Sequence, residues 1–374
     1  MFKSYLKRVY DYYVGKLSKK YAKQSTETMV YLLSFPNNDR GLIEALHEEN
    51  DLKVCYTKAC QKEAKALEQQ GVTVVPLFGL KSFKKSIKLM TQSRVIVCDN
   101  YFPFLGELAP VNRREIVQLW HATGAIKQFG YEDKTAQQRP AADQERFRRV
   151  YESFDYYIVG SASMADVFRR SYGAREKQML YLGLPRTDYL VNQKVKEEEN
   201  KQVILYLPTY REDNQEQTEE ALDIKGLKDA LGTGYRLIVK YHPHMTGIAK
   251  VEGLDDFVTY VEQETSSDQL IQRADVLITD YSSTAFDYAL VHPKGKLVFF
   301  WPDEADYRAT KGIQPAIETT FQRPICRTTE EVIQEITMDK EDGLEDFNAH
   351  WNTYNDGNAT ERVVEALQKI MDGK

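Results

Sequence analysis

At 374 residues, with 42% apolar and 28% charged side chains, the chain is too long for one ordinary core, and two domains are expected. A net charge of −6 excludes the overall basic excess of a nucleic-acid coat, so any basic site must be local and no nucleic-acid partner is expected. The four cysteines, Cys55, Cys60, Cys98 and Cys326, form no CxxC pair or second cluster that completes a zinc site, which reads as reduced structural thiols of a cytoplasmic protein. No apolar run approaches the ~18–20 residues of a membrane span, and the start lacks a signal peptide's apolar core, so the chain reads as soluble or peripheral.

The first element is a helix. In residues 1–24, Phe2, Leu6, Val9, Tyr13, Leu17 and Tyr21 recur at three- and four-residue steps among seven basic residues and one acid, Asp11. Two readings stand side by side. The helix packs on its own domain with a solvated basic face, or it lies in a membrane interface with Lys16, Lys19, Lys20 and Lys23 over anionic lipid.

Short apolar runs then alternate with helical patterns. Residues 28–35, 52–57, 72–78, 94–99, 116–120 and 156–160 read as strands, and 38–49 and 57–71 as helices between them, the second stopped by Gly71. This alternation implies βαβ units and a parallel sheet covered on both faces. The charged run 192–202 reads as an interdomain linker. Beyond it 202–210, 235–242, 257–261, 274–280 and 296–301 repeat the strand grammar, with helices at 218–231 and 283–292. Two open α/β domains, expected to face each other across a cleft, place ligands beyond the carboxyl ends of their strands.

Every polar cluster of interest follows such a strand end. His121-Ala122-Thr123-Gly124 follows "IVQLW", and Thr209-Tyr210-Arg211 follows "ILYLP". His242-Pro243-His244 follows "LIVKY", and Asp280-Tyr281-Ser282-Ser283 follows "VLIT". Ser282 and Ser283 fall where a helix begins, so they either cap it or join its free N–H groups in an anion site, phosphate being the usual occupant. Asp287 complements the helix dipole or accepts from a polyol hydroxyl. Thr209 offers a hydroxyl and Arg211 a forked cation suited to phosphate, unless Arg211 only pairs with Glu212 or Asp213. His242 sits on a turn set by Pro243, in surroundings that favour phosphate over metal. No Asp-x-Asp motif ends a strand, so neither a metal nor another cofactor is expected.

In this order, "LWHATG", "LGLPRTD", "LPTYRED", "KYHPH" and "LITDYSSTAFDYAL" resemble the CDP-glycerol glycerophosphotransferase family of teichoic acid synthesis, over about residues 25–370. The His-Pro turn and Ser-Ser helix start are similar to those of GT-B-like sialyltransferases, which also use a cytidine phosphate donor. Where the family commonly reads Trp-His-Gly-Thr-Pro, this chain has Trp120-His121-Ala122-Thr123-Gly124, which keeps the His-x-Thr spacing. Where the family has a loop of glycines and serines after the first strand, this chain has "SFPNNDRG".

The resemblance implies a GT-B-like α/β fold of two Rossmann-like domains whose parallel sheets face each other across a cleft. With the composition, it implies a membrane-associating helix at 1–24, an acceptor domain at 25–191, a linker at 192–202 and a CDP-glycerol-binding domain at 203–374. It puts His121 at the reaction centre, with Thr123 beside it. It sets Arg186, Thr209, Arg211, Lys240, His242, Ser282, Ser283 and Asp287 around the donor, His242 sharing in catalysis by stabilising the departing phosphate. A neutral imidazole at His121 suits proton removal from an attacking hydroxyl near pH 7. The implied partners are CDP-glycerol, or CDP-ribitol in some members, a polyprenyl-diphosphate-linked disaccharide and an anionic membrane surface at the cytoplasmic face. A family member that reaches this pattern so soon suits a primase, which adds the first glycerol phosphate. A second-unit or ribitol-phosphate transferase, a glycosyltransferase using a nucleotide sugar, and a nucleotide-binding scaffold stay open.

Overall fold

The computed structural model describes residues 2–193, 200–209, 222–241, 251–338 and 343–373. They form two compact units. The first holds Met1–Ala122, Phe129–Tyr189 and Tyr354–Lys374; the second holds Thr123–Gln128 and Leu190–Thr353.

In the first unit β1 (Met29–Leu33), β2 (Leu52–Tyr56), β3 (Thr73–Pro76), β4 (Val95–Cys98), β5 (Glu115–Gln118), β6 (Tyr156–Val159) and β7 (Met179–Tyr181) make one sheet in the order β3-β2-β1-β4-β5-β6-β7. All its pairings are parallel. The central β1 is buried along its whole length, which is why it reads as a continuous apolar run rather than an alternating one. Pro76 is tolerated because β3 is an edge strand with no ladder partner on its outer side. Gly71, at φ +95°, ends the helix Gln61–Gln69 as expected.

The second unit has five strands. β8 (Gln202–Leu207), β9 (Tyr235–Val239), β10 (Val258–Tyr260), β11 (Val276–Thr279) and β12 (Lys296–Phe299) run in the order β10-β9-β8-β11-β12, again all parallel. The expected helix at 218–231 is seen as Ile224–Leu231, capped by the Asp223 carboxylate on the Gly226 N–H; residues 218–221 lie outside the described ones.

Besides a shift of two residues at Leu190, the expected division 25–191 and 203–374 differs from these units at two places. Tyr354–Lys374 groups with the first unit. The helix Ala359–Asp372 buries Val363, Val364 and Leu367 in the core of the seven-stranded sheet. Its first turn is held by Asp188, whose carboxylate accepts from the N–H groups of Ala359 (2.9 Å) and Thr360 (2.7 Å). Each of those buried aliphatic side chains contributes about 1.5–3 kcal/mol, enough to fix the helix on that sheet. Conversely, Thr123–Gln128 groups with the second unit, where the Gln314 N–H donates to the Ile126 carbonyl (2.7 Å) and the Gln128 N–H to the Gly312 carbonyl (3.1 Å). Of the expected linker, 194–199 lie outside the described residues, and Gln202 already belongs to β8.

Candidate functional site

Strand order reverses direction once in each sheet. In the first unit β2 and β3 lie on one side of β1, and β4 to β7 on the other, so the carboxyl ends of β1 and β4 mark its switch point. Asp99, which follows β4, is fully buried there. Its carboxylate accepts from the Ser34 N–H (2.7 Å), the Phe35 N–H (2.8 Å) and the Ser34 hydroxyl (2.7 Å), pinning the loop that leaves β1. Burial pushes Asp99 up to about 6, against the pull of those donors.

His121 sits two residues beyond the Leu119 N–H that still bonds the Cys98 carbonyl beside β4. Its Nδ1 lies 2.9 Å from the Asp99 carbonyl oxygen. A carbonyl only accepts, so Nδ1 carries the proton and Nε2 keeps a free lone pair. Phe35 stacks on the imidazole with ring centroids 3.7 Å apart and planes at 6°, and Trp120 lies at 4.3 Å. Burial is the main cause that holds this imidazole down at about 4, and the Arg186 charge pushes the same way while the bond to Asp99 opposes it. The ring is therefore neutral at pH 7.

Trp120 explains how the histidine is presented. Its φ of +67° is left-handed, an outlier for so bulky a residue that costs about 1–3 kcal/mol. The surroundings enforce it. The Trp120 N–H donates to Gln118 Oε1 (2.8 Å), its carbonyl accepts from Asn38 Nδ2 (2.9 Å), and its indole stacks on Phe129 (4.9 Å, 22°). This sharp turn ends the strand and aims the next side chain out of the sheet.

The second unit repeats the arrangement. Here β9 and β10 lie on one side of β8, and β11 and β12 on the other, and Asp280 follows β11 as Asp99 follows β4. The Asp280 carboxylate accepts from the Thr209 N–H at 3.0 Å, joining the ends of β8 and β11. Ser282 and Ser283, both half-buried, lead into the helix Thr284–Val291. The Ser282 hydroxyl accepts from the Thr284 N–H (3.3 Å) and pairs with its hydroxyl (2.9 Å), whereas Ser283, at the cap position, makes no side-chain cap bond. Lys240 directly follows β9 and donates to the Ser267 hydroxyl (3.0 Å), and burial lowers its ammonium. The sheet thus brings Thr209, Lys240 and Ser282-Ser283 to the carboxyl ends of three neighbouring strands. Arg211 and His242 lie outside the described residues.

Two residues expected to contact the donor have partners within their own units. Asp287 is buried and accepts a hydrogen bond from the Thr123 hydroxyl, so its carboxylate holds the segment Thr123–Gln128 on the helix. Arg186 belongs to the first unit, where its charge acts on His121. Sequence reasoning missed Asp99 and Phe35. The signal for Asp99 was present, since "RVIVCD" ends on its aspartate as "VLITD" does. Among the described residues no group of three or more His, Cys, Asp or Glu is arranged to hold a metal ion.

The first helix, Phe2–Tyr21, buries Val14 and Ser18. Ser18 Oγ lies 2.9 Å from Thr91 Oγ1 on the helix Leu80–Gln92 and accepts from the Ala109 N–H (2.8 Å). Ion pairs Lys7–Asp143 (2.7 Å) and Arg146–Asp11 (2.9 Å) fasten the same side. Tyr5, Leu6, Val9, Tyr12 and Tyr13 are exposed, followed along the outward face by exposed Lys16, Lys19, Lys20 and Lys23. Exposed Arg8 lies among the exposed apolar residues of the first half, and the four lysines continue the same face in the second half. Lys81, Lys84, Lys85 and Lys88 are exposed on the neighbouring helix, which begins at an 83% exposed Leu80. No helix among the described residues is long and apolar enough to cross a membrane.

A family model described as CDP-glycerol:poly(glycerophosphate) glycerophosphotransferase matches residues 20–369 of the chain. A teichoic acid glycerol-phosphate primase of Bacillus subtilis (strain 168) is 30% identical, over 99% of this chain and 99% of its own. A protein of the same description from Staphylococcus aureus (strain NCTC 8325 / PS 47) is 30% identical over 98% of each. A solved structure of the wall teichoic acid polymerase TagF, a variant soaked with CDPG, is similar at a TM-score of 0.74 and 18% identity, covering 100% of this chain and 99% of that one. That likeness shows the fold, the GT-B-like α/β class expected from the sequence.

Proposed function

The chain belongs to the CDP-glycerol:poly(glycerophosphate) glycerophosphotransferase family, and from that premise we propose that it primes a teichoic acid chain. It moves one glycerol phosphate from CDP-glycerol to a hydroxyl of a lipid-linked disaccharide and releases CMP. It works as a peripheral protein at the cytoplasmic face of the membrane. Two glycerol-phosphate primases matched almost end to end support the priming step over polymerisation.

The reaction needs a base for the acceptor and a cradle for the donor. The acceptor hydroxyl attacks the β-phosphorus as its proton passes to His121 Nε2. The new O–P bond forms as the bond to the bridging oxygen breaks, and CMP takes that electron pair. The observation that carries this reading is the hydrogen bond from Nδ1 to the Asp99 carbonyl, because it leaves Nε2 as the acceptor. An anionic donor near the ring raises the imidazole from its depressed value, which strengthens it as a base when substrate is bound. Ser282, Ser283, the first N–H groups of their helix, Thr209 and Lys240 support the diphosphate by preorganised hydrogen bonds and charge. Arg211 and His242 are assigned to the same task from the sequence pattern. Thr123 and Asp287 act together, the carboxylate holding the threonine in place.

Mass spectrometry of a short-chain prenyl-diphosphate disaccharide incubated with CDP-glycerol tests the proposal. One added glycerol phosphate supports a primase, whereas a ladder of additions or no addition overturns it. His121→Ala should lower turnover by ~10²–10⁴ while CDP-glycerol affinity stays within a few-fold. A variant that keeps more than about a tenth of wild-type turnover removes His121 from the role of base.

A further inference from the structure

We infer that Phe35 is a positioning residue for the reacting imidazole, held in place by the Asp99 carboxylate through the backbone of the loop after β1. The inference rests on His121 as the base. Three observations carry it. The Phe35 ring lies parallel to the imidazole at 3.7 Å and 6°, closer and flatter than its other ring neighbour, Trp120, at 4.3 Å and 31°. The Phe35 N–H and the Ser34 N–H both donate to one oxygen of Asp99, so the plate does not ride on a free loop. Asp99 also supplies the carbonyl that receives Nδ1, so a single buried residue fixes the proton on one edge of the imidazole and the plate on its face.

The geometry separates this role from core packing. Phe35 is 36% exposed, unlike the fully buried aromatics of the sheets, so the ring covers His121 at the surface and not as part of the core. A covering ring restricts the imidazole to one plane and keeps water off one face. Nε2 is then aimed along one direction, and a misdirected base loses rate even where its substrate still binds. The charged groups around this arrangement are Asp99, the Arg186 guanidinium and, at the loop, Asp39 and Glu63. None of them is altered by a change at Phe35, which makes that position the cleaner one to test.

The test compares Phe35→Ala, Phe35→Tyr and His121→Ala in the full chain, reading kcat, KM for CDP-glycerol, the melting temperature and the NMR titration midpoint of the His121 ring. Phe35→Ala should lower kcat about tenfold with KM and melting temperature little changed, and should move the His121 midpoint up towards that of an ordinary histidine. Phe35→Tyr keeps the stack and should restore both kcat and midpoint. An unchanged kcat in Phe35→Ala, a loss confined to KM, a fall in kcat without movement of the midpoint, or a Phe35→Tyr as impaired as Phe35→Ala each overturns the inference. Failure of the base reading looks different: His121→Ala itself stays active. An inactive His121→Ala beside a silent Phe35→Ala overturns the positioning role alone.

Discussion

Glu63 carries the most perturbed carboxyl near the first switch point, pushed up to about 8 by burial and by a hydrogen bond shared with Asp39. An unfolded glutamate ionises near 4.3, so between that pH and about 8 the folded state binds a proton that the unfolded state releases. Stability therefore falls as pH rises through this window and levels off above it. Glu63→Gln removes the titration, so its melting temperature should gain on wild type steadily from pH 5 to about 8. A difference that stays flat with pH across that range contradicts the assignment. His121 works in the opposite sense. Its midpoint is depressed to about 4, so it adds stability as pH rises from there to about 6.5, a gain lost again on acidification. At this scale His121 was legible because a histidine directly after a buried strand has few structural reasons to be there. Asp99 and Phe35 were not, because their roles come from bonds between loops 64 and 65 residues apart in the chain, which no local pattern encodes.

The helix Thr284–Val291 has a proposed donor contact at its N-terminus and a packing role on its buried side, and the two call for separate tests. Its N-terminal serines are assigned to the diphosphate, so Ser282→Ala with Ser283→Ala should weaken CDP binding by roughly tenfold or more, a charge-assisted hydrogen bond contributing about 1.5–3 kcal/mol. Unchanged affinity by calorimetry removes the serines from the cradle. Its buried side receives the Thr123–Gln128 segment, where a Cβ on Gly124 would lie 2.7 Å from the Phe286 ring. That ring cannot withdraw, being fully buried and packed on Phe347 (5.3 Å) and Trp351 (4.7 Å). Gly124→Ala should therefore destabilise the protein by about 1–3 kcal/mol through overpacking, seen as a lower urea midpoint. The glycine in "HATG" is thus explained by a close approach that the sequence does not display. Strands were easier to read than their partners in space. Runs such as "VIVC" and "VLIT" announce buried parallel strands by composition, but nothing local in "ATERVVEALQKIMD" tells that its apolar face belongs to the sheet begun by β1. The three-residue β7 is too short for any periodicity.

Charge at the scale of the whole molecule opposes membrane binding, since the chain carries a net −6, so any attraction to anionic lipid must come from a local surface. The two packed helices Phe2–Tyr21 and Leu80–Gln92 supply one, with exposed Lys16, Lys19, Lys20 and Lys23 beside exposed Lys81, Lys84, Lys85 and Lys88. Tyr12, 71% exposed, and Leu80 stand out from this surface as apolar side chains, the proposed anchors. Each lysine near an anionic bilayer contributes about 1 kcal/mol, and insertion of apolar side chains adds to it. Removing residues 1–24 is a poor test, because Val14 and Ser18 are buried and their loss unpacks the first unit. Lys16, Lys19, Lys20 and Lys23 changed together to Glu leave that buried side intact. This variant should no longer sediment with phosphatidylglycerol vesicles, while wild type sediments with them at low salt, is released as salt rises, and ignores phosphatidylcholine. Turnover of a water-soluble acceptor analogue should be unchanged, because none of the four lysines belongs to either switch point. Adding Tyr12→Ser to the wild type should weaken vesicle binding without altering its salt dependence, since it removes an anchor and no charge. A four-fold Glu variant that still sediments at moderate salt places the membrane contact on another face and leaves the first helix a purely structural one.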